Sequence, residues 1–339
     1  MYTRDAPDHA RARRHVTAQI RSPTIVDGKV GRLNPLIGDP TVTVVVVTWN
    51  SARLVPDLLA GLPAALDGVG TYEVIVADNG STDETLPVVA RSAPGVRTVQ
   101  LGRNAGYAAG FNTAAAVARS SAAVLLVNPD VRLAPGSVTR LIDALAVPGT
   151  GIAAPRLVGA DGGLLRSLRR EPTVLRALGQ GLLGGRWSGR FPVLSEVISD
   201  PARYAVPGTA DWATGAALLI ARPCLERVGP WDESFFLYSE ETDFALRARD
   251  AGFVLRYVPD AVAVHLGGDS HRSPRLWSTL TINRVRLFAS RHGRVRSAIF
   301  WAALVLSEGL RALARRSPVH KAAFWALLGK WRRPGEVAG

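Results

Sequence analysis

The run Thr41 to Val47, TVTVVVV, restricts the fold of this chain more than any other stretch. Seven consecutive β-branched residues lose side-chain freedom in a helix and suit a pleated strand. Apolar residues at successive rather than alternate positions mark a strand covered on both faces, as in a parallel sheet. Behind Ser51, Leu54, Leu58, Leu59 and Leu62 recur at helical spacing, and Tyr72 to Ala77 supplies a second buried strand. The three segments form a β-α-β unit.

The alternation continues with a helix after Asp83, a strand over 96–101, a helix over 108–119 and a strand over 122–127. It predicts an α/β fold, a mostly parallel doubly wound sheet with helices on both faces. Between Gly159 and Gly208 the periodicity fades into arginine, glycine and proline, which predicts mobile loops. Trp212 to Ala221 then reads as a strand, Glu240 to Gly252 as a helix, and 254–258 and 261–265 as short strands. The chain from Leu276 onward reads as a helical C-terminal tail. The expected organisation is an extension over 1–40, a domain over 41–270 divided after residue 131, and a tail over 271–339.

Charge is distributed unevenly along this plan. Of the net +13, the tail contributes +12 and residues 41–270 contribute −2, so the basic character belongs to the tail. Two apolar stretches there, Ala298 to Leu306 and Val319 to Trp331, are flanked by Arg and Lys. The first is too short for a bilayer span, which takes about 20 residues. Such segments suit helices lying in an anionic membrane interface, or faces that cover the domain or a second copy of the chain. Long apolar runs argue against nucleic acid as the partner of these arginines. The lone Cys224 excludes an internal disulfide framework and a multi-cysteine zinc site. Residues 1–40 carry no export signal, so the expected location is cytoplasmic, peripheral on the inner face of the cell membrane.

In open α/β sheets ligands bind beyond the carboxyl ends of the strands. Three polar clusters stand there: Thr48-Trp49-Asn50, the run Asp78 to Asp83, and Asn128-Pro129-Asp130. Turn formation and helix capping account for such residues equally well one at a time, and Asp83 reads as a cap. Together and in this order, the clusters resemble the nucleotide-sugar half of the inverting family 2 glycosyltransferases, which have the GT-A fold. The resemblance covers about residues 41–270. It implies that Thr48, Asn50 and Asp78 hold the donor nucleoside. It also implies that Asn104 and Gly106, within the stretch Arg103 to Asn112, lie beside the donor. The family's D-x-D metal motif corresponds to Asn128-Pro129-Asp130, with Asp130 as a ligand of Mg²⁺ or Mn²⁺ and Asn128 as a neutral donor-binding group.

On the acceptor side, Phe235 to Asp243 resembles the family's aromatic run followed by E-D-x-D, whose second acidic residue is the catalytic base. That position is Glu241, with Glu240 as the rival. Asp243 is implied to position the acceptor or the helix, although its i, i+4 spacing to Arg247 also fits a plain ion pair. The stretch after Val264 resembles V-x-H-x-x-G-x-S and makes His265 a metal ligand. Trp212, Thr214 and Gly215 correspond to the acceptor strand.

The chain is similar to the rhamnosyltransferase-like branch, whose members extend polyprenyl-diphosphate-linked saccharides in cell-wall or surface-polysaccharide assembly. The resemblance implies transfer of L-rhamnose from dTDP-rhamnose to a lipid-linked saccharide. A UDP-sugar donor and a non-catalytic nucleotide-sugar-binding subunit are the alternatives, the latter prompted by Asn128 and Glu241. A sugar-1-phosphate nucleotidyltransferase is disfavoured, because no glycine-rich basic loop follows the first strand. The apolar tail helices also offer a surface for a homo-oligomer.

Overall fold

A computed structural model describes residues 24–26, 41–189, 191–267 and 273–330. The valine-rich run forms a strand whose alternate residues feed two separate cores. Val42, Val44 and Val46 pack with Leu58, Leu59, Leu62 and Val138 on one face, while Val45 and Val47 pack with Phe111, Ala114 and Phe244 on the other. Burial on both faces is why the run carries no polar alternation.

In chain order, the first part comprises β1 Thr24–Val26, β2 Val42–Thr48, α1 Val55–Ala65, β3 Tyr72–Asp78, α2 Thr85–Ser92, β4 Arg97–Gln100, α3 Tyr107–Val117, β5 Ala123–Val127, β6 Val131–Leu133 and α4 Ser137–Leu145. Next come β7 Thr150–Gly159, β8 Leu168–Arg169, α5 Val174–Ser188, β9 Gly208–Ala210, β10 Trp212–Ala213, β11 Ala217–Ala221, α6 Arg222–Val228, α7 Glu240–Asp250 and β12 Val254–His265. The tail holds α8 Pro274–Arg291, α9 Arg294–Arg315 and α10 Pro318–Lys330. The main sheet is ordered β1-β4-β3-β2-β5-β11-β7-β12-β6, with β9 also on β12.

The strands β4, β3, β2 and β5 are parallel, as is the pair β7 and β12. Between these blocks β11 runs antiparallel to both β5 and β7. The sheet is mixed but mostly parallel where helices connect its strands, and helices cover both faces.

Three sequence expectations change. The stretch expected to be loops holds β8 and α5, a helix of 15 residues packed on α9. Its glycines are packing positions: a Cβ on Gly181 would stand 2.7 Å from the Ser307 Cβ. The segment Trp212 to Ala221 is two strands, because Trp212 and Ala213 pair with β8 in a separate ribbon while Ala217 to Ala221 pair with β5 and β7 in the main sheet. Residues 254–265 form one strand, bulged between Val258 and Val262 where Pro259 sits, a position a ladder tolerates for proline.

The tail is a layer on the α/β domain. Phe288, Phe300, Ala303, Leu304 and Leu327 bury a core of their own with Ala177 of α5, and the Phe288 and Phe300 rings stack 4.1 Å apart. In α9 the polar residues Ser307 and Glu308 do not interrupt the helix but point inward. Glu308 accepts from Trp277 Nε1 at 2.9 Å and lies 2.7 Å from His320 Nδ1. By length and composition α9 could cross a membrane, with a third of that span buried inside the protein.

Candidate active site

The loops after β2 and β3 are bound to each other. Thr48 Oγ1 donates to Asp78 at 2.9 Å, and Asp78 also accepts from the Ser81 amide at 2.9 Å and its hydroxyl at 2.6 Å. Asn50, in the left-handed region at φ 49°, accepts from Thr82 N–H at 2.8 Å through its side chain. Asp78 is 1% exposed, so its carboxylate organises this loop pair from below. Asp83 accepts from Thr85 at the start of α2, as a cap does, and from the Ala52 amide.

The glycine stretch before α3 joins the two halves of the molecule. Asn104 accepts from the Gly106 amide at 3.2 Å, and Asn79 donates to the Gly106 carbonyl at 3.0 Å. At φ 96° Gly106 takes a conformation that favours glycine, and a Cβ there would overlap the Phe236 carbonyl. The next residue, Tyr107, donates its amide to that same carbonyl at 3.0 Å. Its hydroxyl bonds the Asn128 side-chain oxygen and reaches the Gly215 carbonyl at 3.3 Å.

Asp130 and His265 meet because β6 and β12 pair antiparallel, with Val131 opposite His265. The Leu266 amide bonds the Asp130 carbonyl at 2.9 Å, and His265 Nε2 lies 3.1 Å from Asp130 Oδ2. Both side chains remain partly accessible. A carboxylate oxygen beside an imidazole nitrogen fits one side of a Mn²⁺ or Mg²⁺ shell. Among the described residues no third His, Cys, Asp or Glu joins them, so the remaining positions would fall to ligand oxygens and water.

A cavity of about 560 Å³ opens beside this pair. Asn128, His265, Trp212, Thr214, Gly215, Glu240 and Glu241 all line it, while Thr48, Asn50, Asp78, Asn104 and Gly106 lie outside it. Glu241 rests over Gly215 at the strand break. Asp243 does not face the cavity: its carboxylate holds Arg247 Nε at 2.7 Å, and that guanidinium donates on to the Val228 and Pro230 carbonyls. The i, i+4 ion pair is what the spacing at that position describes.

Glu240 and Glu241 each keep one buried carboxylate oxygen without a hydrogen-bond partner. Burial pushes both carboxyls above the usual carboxylate range, strongly for Glu240, which the neighbouring Glu241 charge raises further. Backbone amides and Arg169 oppose the rise at Glu241. Burial thus opposes ionisation of both carboxyls, and the cation that offsets it acts at Glu241.

The turn that presents them is strained. Tyr238 and Ser239 adopt φ 70° and 78°, left-handed values unusual for two successive non-glycine residues. Asn283 of α8, buried, donates to the Leu237 carbonyl at 2.9 Å and the Tyr238 carbonyl at 3.2 Å. Arg286 donates to the Ser234 carbonyl at 3.0 Å and covers the Phe235 ring. Sequence reasoning missed Asn283, Tyr107, Arg169 and the tail residues Trp277, Arg284 and Arg311 that line the cavity. The one signal for the tail residues was an aromatic and basic tail whose partner the periodicity could not identify.

Comparison with known proteins gives the family and the fold. Residues 43–195 match the family model described as Glycosyl transferase family 2. The N-acetylglucosaminyl-diphospho-decaprenol L-rhamnosyltransferase of Mycobacterium tuberculosis is 32% identical over 236 residues, covering 66% of this chain and 75% of that one. The low-salt glycan biosynthesis hexosyltransferase Agl10 of Haloferax volcanii is 24% identical over 211 residues, 61% of each chain. In fold, the chain is similar to the mannosyltransferase PcManGT from Pyrobaculum calidifontis, solved with GDP-Man and Mn²⁺, at a TM-score of 0.55, 19% identity and 92% coverage of each chain. That likeness is one of architecture and matches the GT-A arrangement.

Proposed function

Since the chain belongs to glycosyl transferase family 2, we propose that it transfers L-rhamnose from dTDP-rhamnose to a hydroxyl of a polyprenyl-diphosphate-linked saccharide in cell-wall or surface-polysaccharide assembly. The observation that carries this reading is Glu241, held over Gly215 in a cavity that continues to His265 and, through it, Asp130. The activity of the mycobacterial relative, an L-rhamnosyltransferase named for a lipid-diphosphate-linked N-acetylglucosamine, supports the sugar and acceptor classes.

In the proposed reaction Glu241 takes the proton of the acceptor hydroxyl as its oxygen bonds the anomeric carbon. The bond from that carbon to the nucleoside diphosphate breaks on the opposite face, so the configuration inverts. Thr48, Asn50 and Asp78 hold the nucleoside, Asn104 and Gly106 border the donor, and Asn128 orients it beside Tyr107. Trp212, Thr214 and Gly215 seat the acceptor sugar. Asp130 and His265 would hold Mn²⁺ or Mg²⁺, which neutralises charge on the departing diphosphate. The leaving group needs no second carboxylate as acid, which suits a site where Glu240 keeps its proton.

The outer face of α9 gives the tail a role beyond packing. Val295, Ile299, Leu306, Leu310 and Leu313 form an exposed apolar stripe near Arg294, Arg296 and Arg316. Such a face fits the interface of an anionic membrane, where a lipid-linked acceptor resides.

The test incubates the protein with Mn²⁺ or Mg²⁺, a panel of nucleotide sugars, and acceptors with and without a lipid diphosphate, and measures released nucleoside diphosphate. Release with dTDP-rhamnose only in the presence of lipid-linked acceptor is the expected result. Turnover with a UDP-sugar instead would move the donor assignment, and binding without turnover would make the chain a non-catalytic subunit. Sedimentation with anionic liposomes tests the α9 face; a dimer that ignores lipid would reassign it to a second copy.

A further inference from the structure

We infer that Arg169 binds the phosphate oxygens of the acceptor, making the cavity a subsite for a phosphorylated sugar rather than a neutral one. The inference rests on the reading of this cavity as the acceptor site.

Three guanidinium groups line the cavity, and two are already compensated. Arg284 bonds Glu196 at 2.6 Å, and Arg311 bonds Glu308 at 3.3 Å and the Gln180 carbonyl at 2.7 Å. Arg169 differs. Among the described residues no carboxylate lies within ion-pair distance of its guanidinium, which donates from Nη1 to the Arg166 and Leu168 carbonyls, and the Glu196 and Glu241 charges support it only from farther off. Burial weakens its hold on its proton, as it does for a cation whose hydration is incompletely replaced. A half-buried cation facing a cavity is costly unless an anion arrives to meet it. The planar fork of arginine suits two phosphate oxygens at once.

Placement makes the anion part of the acceptor. Arg169 lies opposite Trp212 in the β8–β10 ribbon, with its guanidinium 5.7 Å from the indole centroid. Glu241 lines the same cavity and feels the Arg169 charge. A sugar lying along Trp212 would thus offer one end to the proton acceptor and the other, carrying phosphate, to the cation. Beyond it Trp277, Leu280 and Leu287 supply an apolar wall from the tail, suited to the start of a hydrocarbon chain.

The test is calorimetric binding in the absence of donor, using decyl diphosphate bearing N-acetylglucosamine and decyl N-acetylglucosaminide. The wild-type protein is expected to bind the diphosphate at least ~tenfold tighter, about 1.4 kcal/mol. Arg169→Gln is expected to bind both alike. Arg169→Lys, which keeps charge but not the fork, should retain a reduced preference, and it decides the matter if the Gln variant does not fold. Equal affinities in the wild type, or a preference that survives in Arg169→Gln, would overturn the inference. The same holds if Arg169→Gln moves only the pH–rate profile, since the residue would then act through Glu241. A loss of nucleoside diphosphate affinity would place the donor's phosphates at Arg169 and also overturn it. If no donor supports transfer to either acceptor while the preference stands, the functional reading fails and the anion subsite does not.

Discussion

The loops after β2 and β3 and the turn before α7 are built on opposite terms. In the first region most polar groups bond within it: Asp78 accepts three hydrogen bonds, and Asn50 and Thr82 tie the two loops together, with the buried Asn79 Oδ1 the one oxygen there that lacks a partner among the described residues. In the second, two buried carboxylate oxygens lack partners and two non-glycine residues stand in left-handed conformations. In the proposed function the first region holds the nucleoside, which a preorganised cradle serves well. A reaction centre must keep unfilled capacity, because the transition state completes it. The stabilising contacts for the strained turn come from outside it, from Asn283 and Arg286 of the tail.

The largest effect expected from disturbing this contrast is at Glu241. Glu241→Gln should lower kcat by ~10²–10⁴-fold, the usual contribution of a general base, with donor binding retained by calorimetry. Activity left intact would reject it as the base. In the wild type the rate should rise with pH through a group titrating above the ordinary carboxylate range of about 4.3, because the base must be ionised and burial opposes ionisation. A pH–rate profile flat from pH 5 to 8 would contradict this.

Next in size is the metal pair. Chelation with EDTA should abolish turnover, and Asp130→Ala should raise the Mn²⁺ needed for half-maximal rate by ~tenfold or more. Indifference to both would remove Asp130 and His265 from the metal assignment. Asn283→Ala tests the support given by the tail. Leaving two turn carbonyls without their donor should cost ~1–3 kcal/mol in denaturant unfolding and lower kcat more than it changes donor affinity. A stability loss with unchanged kcat would mean that Asn283 holds the fold but not the turn.

The smallest effect belongs to Glu240. Its folded pKa is raised, so its stabilising contribution is complete below the unfolded carboxyl pKa and is lost as pH rises through the folded value. Glu240→Gln needs no proton and should melt a few degrees above the wild type at pH 8, and level with it at pH 4. A lower melting temperature at pH 8 would show that the ionised form is the stabilising one.

Much of the sheet was legible because strands buried on both faces must be apolar throughout, as β2, β3 and β5 are. The carboxyl-end clusters were legible for the same topological reason. What escaped depended on distant partners. The break after Ala213 exists because the chain changes partner, from β8 to β5 and β7. The glycines of α5 read as loop signals until Ser307 and Leu194 are seen against them. In the tail, periodicity showed apolar faces but not their destinations: Phe300 and Leu304 go inward, while Ile299 and Leu306 stay exposed. Arg169 carried no signal at all, since an arginine among arginines says nothing until its lack of a carboxylate is visible.

The antiparallel strand β11 carries one mechanical implication. Through five residue pairs with β5 and a further register with β7, it welds the two blocks of parallel strands into one continuous sheet. Among the described residues the sheet has no gap between the two blocks about which either could swing as a body. Under the proposed function, opening for substrate and product would then come from the loops beyond the strand ends rather than from rotation of one block against the other.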